Sequence, residues 1–162
     1  MTPPPTIGER PPGFELPNQH GELVSLDSLR GAAVVLVFYP FAFSRVCTDE
    51  LDEIQEHLGE FGTRSARVLG ISVDHKYALR TYAEQRGYEF DLLADFWPHG
   101  AVAESYGVLD STNGHARRTS FFIDSVGSLV DRIDAPLGQG RPLEEYKAAL
   151  RNMPEPTTAS PQ

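Results

Sequence analysis

The chain has 162 residues, 40% of them hydrophobic and 23% charged, and 23 acidic against 14 basic side chains give a net charge of −9. That length and balance describe one globular domain with a sizeable core, and the acidic excess leaves no basic patch for nucleic acid or an anionic membrane surface. The longest apolar run, Ala32 to Tyr39, is far short of the roughly 20 residues of a spanning helix.

Prolines dominate both ends. Residues 1–12 carry five and residues 152–162 carry three, so composition predicts a flexible N-terminal segment, a folded domain over 13–151 and a disordered tail. Phe14 and Leu16, then Leu23, Val24 and Leu26, flank Asn18-Gln19-His20-Gly21 and predict an N-terminal β-hairpin. Ala32 to Tyr39 is apolar and rich in β-branched residues, the pattern of a central strand covered on both faces. Pro40 ends it. A helix of some fifteen residues then leads to a second such strand, Val68 to Val73, which makes a β–α–β unit with parallel strands. A helix from Tyr77 to Arg86 closes on Gly87, a short strand lies around Phe90 to Leu93, and a helix from Ala101 to Tyr106 closes on Gly107. The strand Thr119 to Asp124 turns through Ser125-Val126-Gly127-Ser128 into an antiparallel strand, Leu129 to Ile133. A last helix opens with Pro142 and runs to about Arg151. Alternating strands and helices with a terminal hairpin predict an α/β domain: a mixed central β-sheet flanked by helices, in thioredoxin-like topology.

The only cysteine, Cys47, sits where the first long strand gives way to a helix. With Ser44 at the N-cap, Cys47 is the third helical residue, whose N–H the serine hydroxyl is placed to accept. Cys47, Leu51, Ile54, Leu58 and Phe61 form one apolar stripe, so the thiol faces the sheet. On position alone such a cysteine is a small buried hydrophobe. Two further features point to chemistry: Pro40 and Ser44, seven and three residues ahead of it, and the cationic pair Arg117-Arg118 entering a neighbouring strand. A thiol is nucleophilic only as thiolate, and at its ordinary pKa near 8.5 only about 3% is ionised at pH 7. A helix N-terminus supplies about 1 kcal/mol toward the anion and a close guanidinium lowers the pKa by about one to three units more, enough to make thiolate the main form.

Pro40-x-x-x-Ser44-x-x-Cys47 with a distant Arg118 resembles the active-site pattern of the peroxiredoxins. The strand before it, Cys47-Thr48-Asp49-Glu50-Leu51 after it, and Ile71-Ser72-Val73-Asp74 are similar to that family too. Phe43-Ser44 and Asp95-Phe96-Trp97-Pro98-His99-Gly100-Ala101-Val102 resemble the one-cysteine alkyl hydroperoxide reductase E subfamily. The resemblance implies a cofactor-free thiol peroxidase for hydrogen peroxide, organic hydroperoxides and peroxynitrite. In it Cys47 is the peroxidatic nucleophile that becomes a sulfenic acid, Arg118 lowers the thiol pKa and holds the peroxide oxygens, and Ser44 hydrogen-bonds substrate and thiolate. Pro40 shields the sulfur from water, Glu50 orients an arginine, and Phe43 and Trp97 are contacts of a homodimer formed through the active-site face. No second cysteine exists to resolve the sulfenic acid, so the resemblance implies an external reductant, either a low-molecular-weight thiol with a redoxin or a thioredoxin.

One cysteine, no Asn-x-Ser/Thr acceptor and no signal-like N-terminus point to a cytoplasmic protein. The five histidines show no paired metal-ligand spacing, and Gly138-Gln139-Gly140-Arg141-Pro142 is a turn before a helix without the third glycine of a dinucleotide fingerprint. The competing reading is a non-enzymatic thioredoxin-fold module that binds a partner or signals peroxide, with Cys47 inert.

Overall fold

The computed structural model describes residues 2–63 and 65–154. A short antiparallel hairpin, β1 (Glu15–Pro17) and β2 (Leu23–Ser25), leads through a 3-10 turn at Asp27–Leu29 into β3 (Ala33–Phe38). The chain continues as α1 (Arg45–Glu56), α2 (Leu58–Thr63), β4 (Ala66–Ser72), α3 (Lys76–Arg86), β5 (Asp91–Ala94) and α4 (Ala101–Ser105). A two-residue ladder of β6 (Leu109–Asp110) and β7 (His115–Ala116) precedes β8 (Arg118–Ile123), β9 (Leu129–Ala135) and α5 (Leu143–Asn152). The main sheet has the order β5-β4-β3-β8-β9. β3 pairs parallel with β4 and antiparallel with β8, so the sheet is mixed.

Every residue of β3 is buried, and its period of two divides the core. Val35, Val37 and Tyr39 pack with Cys47, Leu51 and Ile54 of α1, Leu79 and Tyr82 of α3, and Tyr146 and Leu150 of α5. Val34, Leu36 and Phe38 pack on the other face with Leu16, Val24, Ala103 and Tyr106. Central burial on both faces is what the unbroken apolar run requires.

The single helix expected after Pro40 is two. α1 stops at Glu56 because His57 leaves helical geometry (φ −109°, ψ 18°), its Nδ1 lying 3.0 Å from the Glu53 carbonyl. Gly59 and Gly62 make the following turns poor helix formers. The stripe survives the break, with Leu51, Ile54 and Phe61 buried and Leu58 packed at the margin.

The Pro-rich start read as flexible is laid along the domain over its described residues. The Gly8 N–H donates to the Leu129 carbonyl at 2.8 Å, the Leu129 N–H to that of Glu9 at 2.9 Å, and the Tyr106 hydroxyl to that of Pro12 at 2.6 Å. Proline, with φ already fixed, loses little entropy on docking, and Gly107 presents no Cβ to the passing Pro3-Pro4 backbone. Of the tail, Asn152 closes α5 and Met153 is buried; 155–162 lie outside the described residues.

Candidate active site

β3 ends at the point where the chain must leave the sheet, and Pro40, without an N–H to donate to a ladder, turns it outward. The turn is pinned by Asp74, which accepts from the Ala42 N–H at 2.8 Å and from the Ser72 hydroxyl at 2.7 Å. Phe43 follows with φ +69°, a left-handed conformation costly for a bulky residue. That twist lays its ring on Tyr82, with centroids 4.8 Å apart, and leaves Phe43 exposed at the mouth of the site. Ser44 then has the extended backbone of an N-cap (φ −71°, ψ 147°).

Contrary to the capping expected from spacing, the Ser44 side chain makes no cap hydrogen bond. Its Oγ is buried without a hydrogen-bond partner among the described residues, a group that a polar ligand would satisfy. Cys47, three residues on, is 0% exposed at the first turn of α1, where backbone N–H groups lack helical acceptors. Thr48 fastens the turn from outside, its hydroxyl 2.8 Å from that of Tyr82.

Glu50 lies one turn along α1 from Cys47 and is buried, not the exposed helix charge that its surroundings in sequence allow. Arg118, the first residue of β8, donates from Nη1 to Glu50 Oε1 at 2.5 Å and from Nε to the Leu137 carbonyl at 2.7 Å. Its Nη2 makes no hydrogen bond within the described chain. Register explains how it arrives there: β8 runs antiparallel to β3 with Thr119 opposite Phe38, so the start of β8 meets the end of β3. Alternation along the strand leaves Arg117 exposed and turns Arg118 inward.

Sequence reasoning passed over Arg141. From the loop ahead of α5 it donates to Glu50 through Nε at 2.9 Å and Nη2 at 3.0 Å, while its backbone N–H also reaches Glu50 Oε2. Nη1 donates to the Phe38 carbonyl at 2.7 Å and to Ser120 Oγ at 3.0 Å, and Ser120 in turn lies 2.7 Å from the Tyr146 hydroxyl. The loop comes close because residue 140 is glycine: a Cβ there would sit 3.1 Å from Glu50 Cγ. Burial opposes the Glu50 charge, but the hydrogen bonds and charge of Arg141, with Arg118, outweigh it and hold the carboxyl below its usual range. Burial likewise opposes the Arg141 charge, and Tyr146, Glu50 and Cys47 around it more than offset that.

One carboxylate thus fixes two arginines beside a buried thiol, and the serine hydroxyl and Arg118 Nη2 remain for something else. Donors of this kind, if brought against a thiolate's substrate, would serve an attack on a neutral oxygen compound, because charge develops on the departing oxygen. Among the described residues no group of three or more His, Cys, Asp or Glu is placed to hold a metal ion. No described helix is long and apolar enough to cross a membrane.

The sequence profile of the AhpC/TSA family matches residues 7–132. Alkyl hydroperoxide reductase E of Mycobacterium tuberculosis is 43% identical over 76% of this chain and 81% of its own. Peroxiredoxin Bcp of Escherichia coli is 33% identical over 78% of this chain and 84% of its own. The crystal structure of Enterococcus faecalis AhpC superposes with a TM-score of 0.83 at 31% identity, covering 90% of both chains.

Proposed function

We propose, from the premise that the chain belongs to the AhpC/TSA family and is a one-cysteine peroxiredoxin, a thiol-dependent peroxidase, that Cys47 is its peroxidatic residue and that Arg118, Ser44 and Pro40 complete the reacting site. Peroxides and thiols are its reactants. Thiolate sulfur attacks the near oxygen of the peroxide, the S–O bond forms as the O–O bond breaks, and a proton goes to the departing oxygen to give water or an alcohol. Cys47 is left as the sulfenic acid. Arg118 Nη2 and the Ser44 hydroxyl hold the two oxygens and stabilise the charge that grows on the leaving one. Pro40, buried at the turn, keeps bulk water from the sulfur. Glu50 and Arg141 act through Arg118 as positioning residues, and Phe43 forms the apolar rim.

The sulfenic acid condenses with an external thiol, releasing water, and a second thiol then breaks the mixed disulfide to restore Cys47. We assign the second half of the cycle to a low-molecular-weight thiol with a redoxin, or to a thioredoxin. The chain exposes several aromatic residues, Trp97 at 79% and Phe43 at 53%, together with Phe41 and Phe96. A second copy of the chain is their proposed partner. The domain of residues 13–151 carries the N-terminal segment docked along it, and we place the protein in the cytoplasm.

The observation that most supports the site assignment is the pairing of an orphaned Ser44 Oγ with a buried Glu50–Arg118 clamp around the same helix turn. The test is one equivalent of hydrogen peroxide added to reduced protein, read by intact mass and by Trp97 fluorescence. One oxygen is gained rapidly at Cys47, not at all in Cys47→Ser, and slower by orders of magnitude in Arg118→Ala. Oxidation of Cys47 no faster than that of a free thiol at the same pH overturns the assignment. A non-enzymatic module is not favoured, since the relatives are named reductases and peroxiredoxins.

A further inference from the structure

Cys47 follows the C-terminal end of β3; the opposite end of that strand, roughly 20 Å away at about 3.3 Å per residue, borders a cavity that the peroxidase chemistry does not use. Its volume is about 270 Å³, and its floor is Leu29, Val34 and Ile123. The docked N-terminal segment forms one wall through Arg10 and Pro11, and Arg30 forms another. The two guanidiniums converge over Gly127. A Cβ there would stand 3.4 Å from Arg30 Nε and 3.8 Å from Arg10 Cζ, ordinary contact distances, and the φ of +92° is a backbone conformation that glycine adopts without strain.

The charges around the cavity are specific about what it accepts. Arg30 spends Nη2 on Asp27 at 3.0 Å, whereas Arg10 pairs with no carboxylate among the described residues and only donates to the Val126 carbonyl at 3.3 Å. Asp124, also on the lining, has Oδ1 taken up by the N–H groups of Val126 and Ser128. Two arginines against two aspartates leave no net positive field to draw in a dianion. Recognition rests on directed N–H donors, which suit the two oxygens of a carboxylate. The apolar floor adds room for a short hydrocarbon body.

We infer that this cavity is a binding site for a small aliphatic carboxylate, held at its head by Arg10 and Arg30 and along its body by the floor of β3 and β8. Because Arg10 sits on the N-terminal segment, the ligand also ties that segment down. The hydrogen bonds that close it, Gly8 to Leu129 and Leu129 to Glu9, are the ones it would protect.

The test is titration of the full chain with heptanoate, by calorimetry and by hydrogen exchange of residues 2–13 and of Leu129. Saturable one-site binding is expected, with slower exchange at Gly8 and Leu129 and unchanged oxidation of Cys47. Heptanol, which has the body without the charge, and inorganic phosphate, which has charge without the body, are each expected to bind at least about tenfold more weakly, the equivalent of one lost charge-assisted contact. Arg30→Gln and Arg10→Gln lower heptanoate affinity by about the same factor, and Ala32→Leu, which fills the cavity from its lining, abolishes binding while leaving both arginines in place. Heptanol binding as tightly as heptanoate, phosphate competing on equal terms, unaltered affinity in Arg30→Gln and Ala32→Leu, or no saturable binding would each overturn the proposal.

Discussion

Glu50 and Arg118 stand 68 residues apart in sequence and meet at 2.5 Å, with both side chains almost wholly shielded from water. A second guanidinium, from Arg141, closes on the other edge of the same carboxylate. Three buried charges, one negative between two positive, that hydrogen-bond one another are tolerable only as a set. Removing the carboxylate leaves both guanidiniums uncompensated, which is costlier than never having built the cluster.

Glu50→Gln is therefore expected to lose about 3 to 5 kcal/mol of unfolding free energy, because two buried guanidiniums lose their counter-charge. Urea denaturation at pH 7 measures it. A loss below about 1 kcal/mol, the range of exposed pairs, would mean that water reaches the cluster.

The same carboxylate sets an acid limb. Its folded pKa lies below the ordinary value of 4.5, so the ionised form is favoured more in the folded chain than in the unfolded one. That stabilisation is complete above pH 4.5 and disappears as pH falls through the lower folded value. Unfolding midpoints between pH 7 and pH 3 are expected to converge for the wild type and Glu50→Gln at the acid end. Parallel curves would contradict it.

Arg141→Lys tests the fork. A lysine keeps the charge but cannot donate at once to both Glu50 oxygens, the Phe38 carbonyl and Ser120. Cys47 oxidation is expected to slow about tenfold or more, the cost of one misplaced charge-assisted contact passed on to Arg118. An unchanged rate with lowered stability would reduce Arg141 to a purely structural role.

Ser44→Ala separates substrate binding from helix capping. An N-cap serine ordinarily contributes about 1 kcal/mol, but here the hydroxyl makes no cap bond. Stability is expected to stay within about 0.5 kcal/mol of the wild type, as for a substitution outside any named destabilising mechanism, while peroxide reactivity falls about tenfold for one lost donor. Ser44→Thr keeps a hydroxyl and is expected to keep the rate. Loss of stability in Ser44→Ala without loss of rate would return Ser44 to capping.

What could be read from the sequence was what is written locally. The apolar run of β3, the stripe on α1 and the glycine after α3 each reflect a short-range rule, and the strand carrying Arg118 followed from its own pattern. Arg141 was out of reach because its meaning lies 91 residues away. Within its own stretch it is one residue of a Gly-rich turn. Glu50 was ambiguous for the same reason, since nothing in α1 distinguishes an acid facing water from one facing two arginines across a sheet. The docking of the N-terminal segment was out of reach too, since it depends on a groove that exists only after the domain has formed.

The loop between β9 and α5 contributes both the Leu137 carbonyl that steadies Arg118 and Arg141 itself. In order of synthesis, then, the thiol and Glu50 leave the ribosome first, the arginine some seventy residues later, and the loop that supports that arginine last. A nascent chain exposes Cys47 well before anything can hold it ready to react. The nucleophile is armed only when nearly the whole protein has been made, and a prematurely released fragment that stops before residue 137 carries the Glu50–Arg118 clamp at most, without the loop that steadies it.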